Sequence, residues 1–184
     1  MDDPGDSTPA TSAADSPTDA EPPERLSISI VDEAGNWSGF PACADAVASA
    51  AAAVERHPRC RRAIGAEASV VLGDDAMLRS LNAAYRGKDE PTNVLSFPFR
   101  APPGVRQDRY LGDVVLAAQT IAREAAEQHV STSHHLQHLV IHGLLHLLGF
   151  EHETDLEAED MEGLEIEILA TLGIANPYAP VGAA

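Results

Sequence analysis

The sequence predicts an α+β domain in which a single small mixed β-sheet of about four strands packs against about five helices. Three observations support this fold class. Short segments rich in Val, Ile and Leu alternate with longer segments whose apolar residues recur at helical spacing. Clusters of Gly, Pro and Asp separate these segments, as turns require. The segments interleave unevenly and show no internal repeat, which favours one sheet layer covered by helices.

The first half of the domain is predicted to run strand, helix, strand, helix. Residues 26–31 alternate apolar and polar side chains, as a half-buried strand does. An Ala- and Val-rich helix follows over residues 41–54, and a second strand covers residues 68–72. Asp74 or Asp75 then caps a second helix, because a carboxylate there can accept from the first free backbone N–H groups. The apolar positions of this helix are Met77, Leu78, Leu81 and Tyr85.

The second half is predicted to contain two further strands and three helices. A strand over residues 93–98 stops at Pro98, because proline cannot donate to a sheet. A loop rich in Pro, Gly and Arg covers residues 100–109, and the fourth strand covers residues 110–116. The three helical segments span residues 117–129, 134–148 and 154–172.

Residues 1–24 differ in composition from the rest of the chain. They contain seven acidic residues, five prolines and no Lys or Arg. Such a segment cannot bury enough apolar surface to offset its ordering entropy, so we predict a disordered acidic tail. We expect the folded domain to span residues 25–178 and a short C-terminal tail to span residues 179–184. The chain has no secretory signal and no apolar run of about 20 residues, so no membrane span and no membrane partner are expected.

The chain has two cysteines, Cys43 and Cys60, which are too few for a disulfide framework. We interpret them as small thiols, buried or half-buried, in a reducing compartment. This interpretation predicts a cytoplasmic protein.

Charge is unevenly distributed along the chain. The formal net charge is −17 at pH 7, and residues 25–184 contain 22 acidic and 12 basic residues, hence −10. The whole-chain charge argues against a nucleic-acid-binding protein, and no DNA partner is expected. The segment from Arg79 to Arg109 differs, because it holds six basic and three acidic residues. This basic segment is either an anion-binding site or a set of solvated surface charges.

Three histidines form the main candidate site. His142 and His146 are four residues apart in an apolar, helix-like stretch, so they lie on one helix face, one turn apart. Gly149 stands where a helix end favours a left-handed residue, and His152 follows three residues later. Three protein ligands and one open position are the layout of a catalytic zinc site. The sequence therefore predicts one Zn²⁺ per chain, bound by these three histidines on a helix and the turn that follows it.

The same spacing is that of the metzincin proteases, which gives a second interpretation. Met161 could correspond to the Met-turn of such enzymes. These proteases carry Glu directly after the first histidine as the general base, whereas this chain has Gly143. A glycine cannot accept a proton from water, so peptide hydrolysis by the usual route is disfavoured.

Two further histidines, His135 and His138, precede the run on the same helix. At about 100° per residue, both fall in the sector that contains His142 and His146. His138 is one turn before His142, so it is a candidate to support a metal ligand by hydrogen bonding or to contact substrate. The alternative is that His135 and His138 are exposed polar helix surface.

Four segments together resemble the YbeY endoribonucleases, a family of bacterial rRNA maturation factors. Residues 142–152 resemble the family signature His-Gly-x-Leu-His-Leu-x-Gly-Tyr-Asp-His, with Phe150 and Glu151 in place of Tyr and Asp. Many members carry Asp at the position of Asn93, so a role that needs a carboxylate there is not carried over. The other similar segments, within an overall match to residues 25–178, are residues 81–98, 111–116 and 161–178.

The resemblance implies a zinc-dependent, single-strand-specific endoribonuclease that acts in 16S rRNA 3′-end maturation and in ribosome quality control. It implies that His142, His146 and His152 bind zinc and that Arg86 is the catalytic arginine. The partners it implies are rRNA, the small ribosomal subunit and an Era-like GTPase.

Physical chemistry gives the basic segment a role in such a reaction. RNA cleavage builds negative charge around phosphorus, which a positioned guanidinium stabilises, and Arg86 is the candidate. The alternative for Arg86 is to bond the last carbonyl groups of its helix. Electrostatic contact with the RNA backbone is expected from Lys88, Arg100, Arg106 and Arg109.

The general base stays open at this point. Metal-activated water suffices, or a carboxylate such as Asp113 or Glu151 assists, and Asp113 is also a candidate to support the metal ligands. Attack by water and attack by the 2′-hydroxyl of the RNA are both compatible with the sequence. The missing base and the negative charge also permit a third function, a non-catalytic ribosome assembly factor that zinc stabilises.

Overall fold

A computed structural model describes residues 25–34, 37–101 and 109–179. Within them, one four-stranded sheet has the strand order β1-β2-β4-β3. Strands β1, β2 and β4 are parallel, and β3 pairs antiparallel with β4 at the sheet edge. The predicted mixed sheet of about four strands is therefore confirmed. The strands are β1 Ser27–Asp32, β2 Glu67–Gly73, β3 Val94–Pro98 and β4 Tyr110–Ala117.

Five α-helices and two short 3₁₀ helices, Trp37–Gly39 and Pro58–Ala63, surround the sheet in the described part of the chain. The predicted cap of the second helix is Asp74, whose side chain accepts from the backbone N–H of Met77 at 2.8 Å. Thr154 forms a capping box at the start of the last helix. The helices are α1 Cys43–Arg56, α2 Asp75–Arg86, α3 Ala118–Glu127, α4 Thr132–Leu148 and α5 Asp155–Thr171.

The boundary between α3 and α4 differs from the sequence-based expectation. Helix α3 ends at Glu127, two residues early, and His129 has a left-handed backbone with φ 57°. Helix α4 begins at Thr132, two residues early, because the Ser131 side chain accepts from the backbone N–H of His134 at 3.1 Å. The turn between the two helices therefore keeps its predicted length of four residues but lies two residues earlier in the chain.

The two faces of the sheet are covered by different helices. Ser96 and Val114 are register partners on β3 and β4, and both meet α4 at Gly143. Their neighbours Leu95 and Val115 point the other way, because side chains alternate along a strand, and pack with α2. The main core lies on the α4 side, where buried residues of α1, α4 and α5 meet the sheet.

Gly143 lets α4 approach the sheet closely. A Cβ atom at this position would lie 2.6 Å from Val114 Cγ1 and 3.2 Å from Ser96 Oγ. Ser96 Oγ donates a hydrogen bond to the Gly143 carbonyl oxygen at 3.2 Å. Any larger residue would therefore have to displace β-sheet atoms, so the helix carrying the candidate site depends on glycine here.

Several predictions fall on residues that the structure does not describe. The acidic tail at residues 1–24, Arg106, and residues 180–184 of the C-terminal tail all lie outside the described residues. Both cysteines are free, with Cys60 buried and Cys43 half-buried. None of the helices in the described ranges has the length and apolar character needed to cross a bilayer.

Candidate metal centre

Helix α4 and the turn that follows it bring three histidines together. His142 and His146 lie one turn apart on the last turns of α4, and Gly149 ends the helix with φ 96°. This left-handed residue turns the chain back, as a glycine allows without steric cost. One ligand atom each from His142, His146 and His152 then lie within 4.8 Å of one another. The three predicted ligands therefore form a cluster that could hold a metal ion.

The two helical histidines are oriented by hydrogen bonds at their Nδ1 atoms. His142 Nδ1 lies 2.8 Å from Glu165 Oε1, and His146 Nδ1 lies 2.9 Å from the Phe150 carbonyl oxygen. Because a carboxylate and a carbonyl only accept, each Nδ1 carries the proton and each Nε2 keeps its lone pair. The two Nε2 atoms lie 3.1 Å apart. Both lone pairs are therefore available to one ion.

This geometry fits a tetrahedral metal ion. Zn–N bonds of about 2.0–2.1 Å at the tetrahedral angle place two ligand nitrogens about 3.3 Å apart, close to the separation of the His142 and His146 Nε2 atoms. Imidazole nitrogen suits zinc and several other transition metals. His152 is exposed, whereas His142 and His146 are half-buried, so the cluster opens to solvent on the His152 side. A fourth coordination position could therefore face a substrate.

Glu165 of α5 is the central hydrogen-bond acceptor behind the histidines. Its side chain is only 1 % exposed. It accepts from His138 Nε2 at 2.8 Å, from His142 Nδ1 at 2.8 Å and from the Tyr178 hydroxyl at 2.6 Å. Burial alone would raise the pKa of Glu165, but the hydrogen bonds from His138, His142 and Tyr178 outweigh it and lower the pKa to about 2. Glu165 is therefore an ionised carboxylate that fixes the ring of a candidate ligand.

The sequence reasoning missed Glu165 and Tyr178 as site residues. A signal existed for Glu165, because it occupies an apolar position of α5 next to the buried Leu164 and one turn from Met161 and Ile168. A charged residue on the core face of a helix needs partners, and nearby histidines can supply them. Tyr178 lies beyond the last helix, so helical periodicity gives no such signal. Burial and the bond to Glu165 raise its pKa.

The pKa of His146 is lowered from its ordinary value. Burial of the ring is the main cause, and the neighbouring His142 adds to it, whereas Glu151 acts in the opposite direction. A lowered pKa keeps the imidazole neutral, and the neutral ring is the form that binds a metal.

His138 and His135 take different positions along α4. His138 is half-buried and shares Glu165 with His142, as expected for a group that supports a metal ligand. His135 is 4 % exposed, and its Nε2 lies 2.8 Å from Glu124 Oε2. Exposed helix surface is therefore the wrong interpretation for His135, because Glu124 of α3 satisfies its ring in the core. Asn93 Nδ2 also donates to Glu124 Oε2, at 2.9 Å, which an Asp in its place could not do.

The two carboxylates considered as assisting groups lie away from the open side of the cluster. Asp113 is the register partner of Phe97 and accepts from the Tyr110 hydroxyl at 2.7 Å. It therefore lies on the sheet face opposite α4, and the structure does not support its predicted place behind the ligands. Glu151 lies 3.4 Å from His146 Nδ1, on the side of the ring away from Nε2. Successive side chains of a strand point to opposite faces of the sheet, and this alternation explains the position of Asp113.

The predicted basic residues that the structure describes are exposed and make no hydrogen bond or ion pair with the three histidines. Arg86 is the last residue of α2 and makes no hydrogen bond or ion pair with any residue that the structure describes. Its side chain is therefore not engaged with the last carbonyl groups of its helix. The other exposed cations of the segment, which likewise form no ion pair within the described ranges, are Lys88, Arg100 and Arg109.

Gly143 has a structural consequence for the protease interpretation. The glutamate that a metzincin needs would stand at this position, where even a Cβ atom meets Val114 at 2.6 Å. The close approach of α4 to the sheet therefore leaves no room for that general base.

Known proteins that resemble this chain identify its family. The family model described as Endoribonuclease YbeY matches residues 40–173. The Endoribonuclease YbeY of Bradyrhizobium sp. strain BTAi1 is 55 % identical over 118 residues, which are 62 % of this chain and 70 % of that protein. The Endoribonuclease YbeY of Azorhizobium caulinodans is 46 % identical over 154 residues, which are 84 % of this chain and 97 % of that protein.

The fold also has a counterpart among solved structures. The solution structure of TM1509 from Thermotoga maritima superposes with a TM-score of 0.50 and 21 % sequence identity, covering 83 % of this chain and 99 % of the other. This similarity concerns the fold alone. Since the family model matches most of the chain, including all three clustered histidines, the chain belongs to the YbeY endoribonuclease family.

Proposed function

We propose that this protein is a zinc-dependent endoribonuclease that cleaves single-stranded RNA. The observation that supports it best is the pair of histidine Nε2 atoms 3.1 Å apart, with both Nδ1 atoms held by acceptors and a third histidine beside them. Membership in a family whose curated members are named endoribonucleases supplies RNA as the substrate class.

Zinc is the metal that fits the donor set best. Three neutral imidazoles and one open position match catalytic zinc sites, whereas magnesium and calcium prefer oxygen ligands. A bound zinc ion would supply Lewis acidity and lower the pKa of a bound water molecule to about 7. That chemistry suits phosphodiester hydrolysis near neutral pH.

The protein groups around the ion have separate tasks. Glu165 holds the Nδ1 proton of His142, so the Nε2 lone pair stays directed at the ion. The Phe150 carbonyl does the same for His146, and burial keeps that ring neutral. These contacts prepare the ligands before the metal arrives, which lowers the cost of ordering them on binding.

Arg86 and its basic neighbours supply the positive charge that RNA needs. Arg86 is exposed and forms no ion pair with the described residues, so its guanidinium is available to a phosphate. A guanidinium near the reacting phosphate stabilises the charge that builds up there. Lys88, Arg100 and Arg109 are equally available, and Arg106 belongs to the same basic segment of the sequence. Each phosphate contact is expected to add about 0.7 to the salt slope of single-strand binding.

The direct test is cleavage of a labelled single-stranded oligoribonucleotide by the purified protein. We expect cleavage with zinc, loss of cleavage after chelation, and recovery when zinc is restored. Double-stranded RNA of the same sequence should stay intact. Arg86→Ala should reduce cleavage without changing zinc content, while Arg61→Ala, an exposed arginine outside the basic segment, should leave cleavage unchanged. Cleavage that persists without metal would contradict the proposal.

We further propose that the RNA substrate is the 16S rRNA precursor at its 3′ end, with a role in ribosome quality control. The small ribosomal subunit and an Era-like GTPase are the partners that this role requires. A depletion strain complemented with the wild-type chain should restore mature 16S 3′ ends, whereas the His146→Ala chain should leave precursor ends.

A second candidate is a zinc-stabilised assembly factor without catalysis. One observation favours it: among the described residues, the cluster that could hold a metal contains three histidines and no carboxylate, and the two assisting carboxylates considered, Asp113 and Glu151, lie away from its open side. A His146→Ala chain that has lost zinc but still restores rRNA processing in cells would favour this alternative over the endoribonuclease.

A further inference from the structure

A cavity of about 260 Å³ lies next to the metal centre, between the N-terminal half of α4 and the segment after α5. His138 forms part of its wall and also hydrogen-bonds Glu165, which in turn holds His142. One helical turn, about 6 Å, separates His138 from His142 along α4. His138 therefore connects the cavity wall, through Glu165, to His142 of the metal centre.

The lining of this cavity has no acidic or strongly basic side chain and is partly aromatic. None of its lining residues is Asp, Glu, Lys or Arg, although 22 % of the chain is charged. Val130, Ile174 and Pro177 provide apolar walls, and the rings of His134 and His138 provide aromatic ones. A phosphate would find no cation here, so the lining favours a neutral, ring-shaped group over an anion.

Polar groups that could bind such a ring are also present. Asn176 Oδ1 accepts from the backbone N–H of Tyr178, which leaves its Nδ2 without a partner among the described residues. The side chains of Gln128 and His134 likewise make no hydrogen bond within the described ranges. Amide and imidazole groups are those that recognise the edges of unpaired bases.

The size of the cavity limits what it can hold. Pockets for drug-sized ligands enclose about 300–1,000 Å³, so this smaller cavity suits one compact group and excludes a folded polymer. Unpaired RNA bases are compact, neutral and aromatic, and proteins bind them by stacking on His, Phe, Tyr or Trp rings.

We infer that this cavity binds one splayed-out base of the RNA, close to the phosphate held at the metal centre. The inference rests on the proposed endoribonuclease function for its ligand class. A base in this cavity would require an unpaired nucleotide, because a base within a duplex cannot leave its stack without cost. The cavity therefore accounts for single-strand specificity through lining side chains such as His134, which is not one of the three candidate metal ligands.

The test measures RNA binding apart from cleavage. The full-length, zinc-loaded protein is mixed rapidly with a labelled 2′-O-methyl oligoribonucleotide, and anisotropy records binding while a gel checks that the strand stays intact. A series of strands with one abasic site at successive positions should contain one position that weakens binding at least about five-fold. His134→Ala should weaken binding of the intact strand by a similar factor.

The losses of binding free energy from His134→Ala and from the sensitive abasic site should not add, because both changes remove the same contact. Combining His134→Ala with the sensitive abasic strand should cost little more than either change alone. His129→Asn, an exposed histidine that does not line the cavity, should leave binding of every strand unchanged. As a second variant, Ala175→Trp fills the cavity from an exposed position, so it should remove the abasic effect without unfolding the protein.

The outcomes separate this inference from the function on which it rests. The base-binding cavity alone would be overturned if the protein cleaves the unmodified oligoribonucleotide but the two losses of binding free energy add fully, or all abasic strands bind equally. Non-additive binding without cleavage would overturn the endoribonuclease activity alone. Failure of the intact strand to bind would overturn both.

Discussion

Two carboxylates accept hydrogen bonds from histidines of α4, Glu124 near the N-terminal end of the helix and Glu165 in its C-terminal half. Glu124 accepts a hydrogen bond from Nε2 of His135, which is only 4 % exposed. Glu165 accepts a hydrogen bond from Nδ1 of His142, and Nε2 of His142 lies 3.1 Å from Nε2 of His146. The choice of ring nitrogen therefore separates a histidine that fills the core from one that can bind a metal.

The two carboxylates also differ in burial. Glu165 is 1 % exposed and accepts hydrogen bonds from three donors. Glu124 is 25 % exposed and accepts hydrogen bonds from His135 and Asn93. Both have a lowered pKa, in each case because hydrogen bonds to the ionised form outweigh the effect of burial. An ionised carboxylate bonded to a histidine is thus not by itself a mark of a metal centre, and the ring nitrogen that it contacts has to be examined.

The largest expected effect compares His142→Ala with His135→Ala. We expect His142→Ala to weaken zinc binding by more than about 100-fold, beyond the range for groups that only support a ligand. His135→Ala should leave zinc affinity within a few-fold but lower the melting temperature, because Glu124 loses a partner in a partly buried position. Competition with a chromophoric chelator measures the first effect and thermal unfolding the second. Equal zinc affinities in the two variants would remove the distinction.

The next effect compares the carboxylates themselves. Glu165→Gln should weaken zinc binding by about 10–100-fold, because the amide holds the His142 ring less firmly than the carboxylate does. Glu124→Gln is the matched control on the other pair, and its zinc affinity should equal that of the wild type. A fall of similar size in both variants would mean that α4 transmits a general loosening to the ligands.

The third effect tests how firmly α4 packs against the sheet. This packing fixes the positions of the Glu124–His135 and Glu165–His142 pairs along the helix. Gly143→Ala should destabilise the protein by about 1–3 kcal/mol, since its Cβ would meet Val114 at 2.6 Å. Gly163→Ala, in helix α5 with open space around the added atom, should stabilise by about 0.5–1 kcal/mol. Chemical denaturation of both variants gives the difference. A neutral Gly143→Ala would show that the helix can move off the sheet freely.

The smallest effect is a pH dependence at the Glu124 pair. Because the pKa of Glu124 is lowered on folding, its contribution is present above its ordinary pKa of 4.5 and is lost as the pH falls through the lowered value. The stability difference between wild type and Glu124→Gln should therefore shrink as the pH falls below the ordinary pKa of Glu124. Free energies of unfolding at successive pH values measure it, and a difference that grows in acid would contradict the assigned pairing.

Local periodicity was sufficient to predict that three histidines cluster in a form that could hold a metal ion. His142 and His146 share one helix face because of the 3.6-residue repeat, and Gly149 predicts the turn that returns His152 to them. All four strands, and the cap at Asp74, follow from alternation and capping rules in the same way. These features depend on residues that are close in sequence.

Contacts between distant segments could not be predicted. The apolar neighbours of Glu165 signal that it is buried, but they do not identify His142 as its partner, because that contact forms only where α5 packs beside α4. Asp113 was expected near the ligands but lies on the other sheet face, because the register of β4 with β3 decides which side each residue takes. The start of α4 was missed because Ser131 was not recognised as its cap.

The left-handed turn at Gly149 has one more consequence. An ion held by His142, His146 and His152 would join residues on both sides of this turn, and so fasten the end of α4 to the segment that leads into α5. Metal loading would then slow local opening of this connection, so amide exchange and protease nicking around residues 149–154 should report whether the ion is bound.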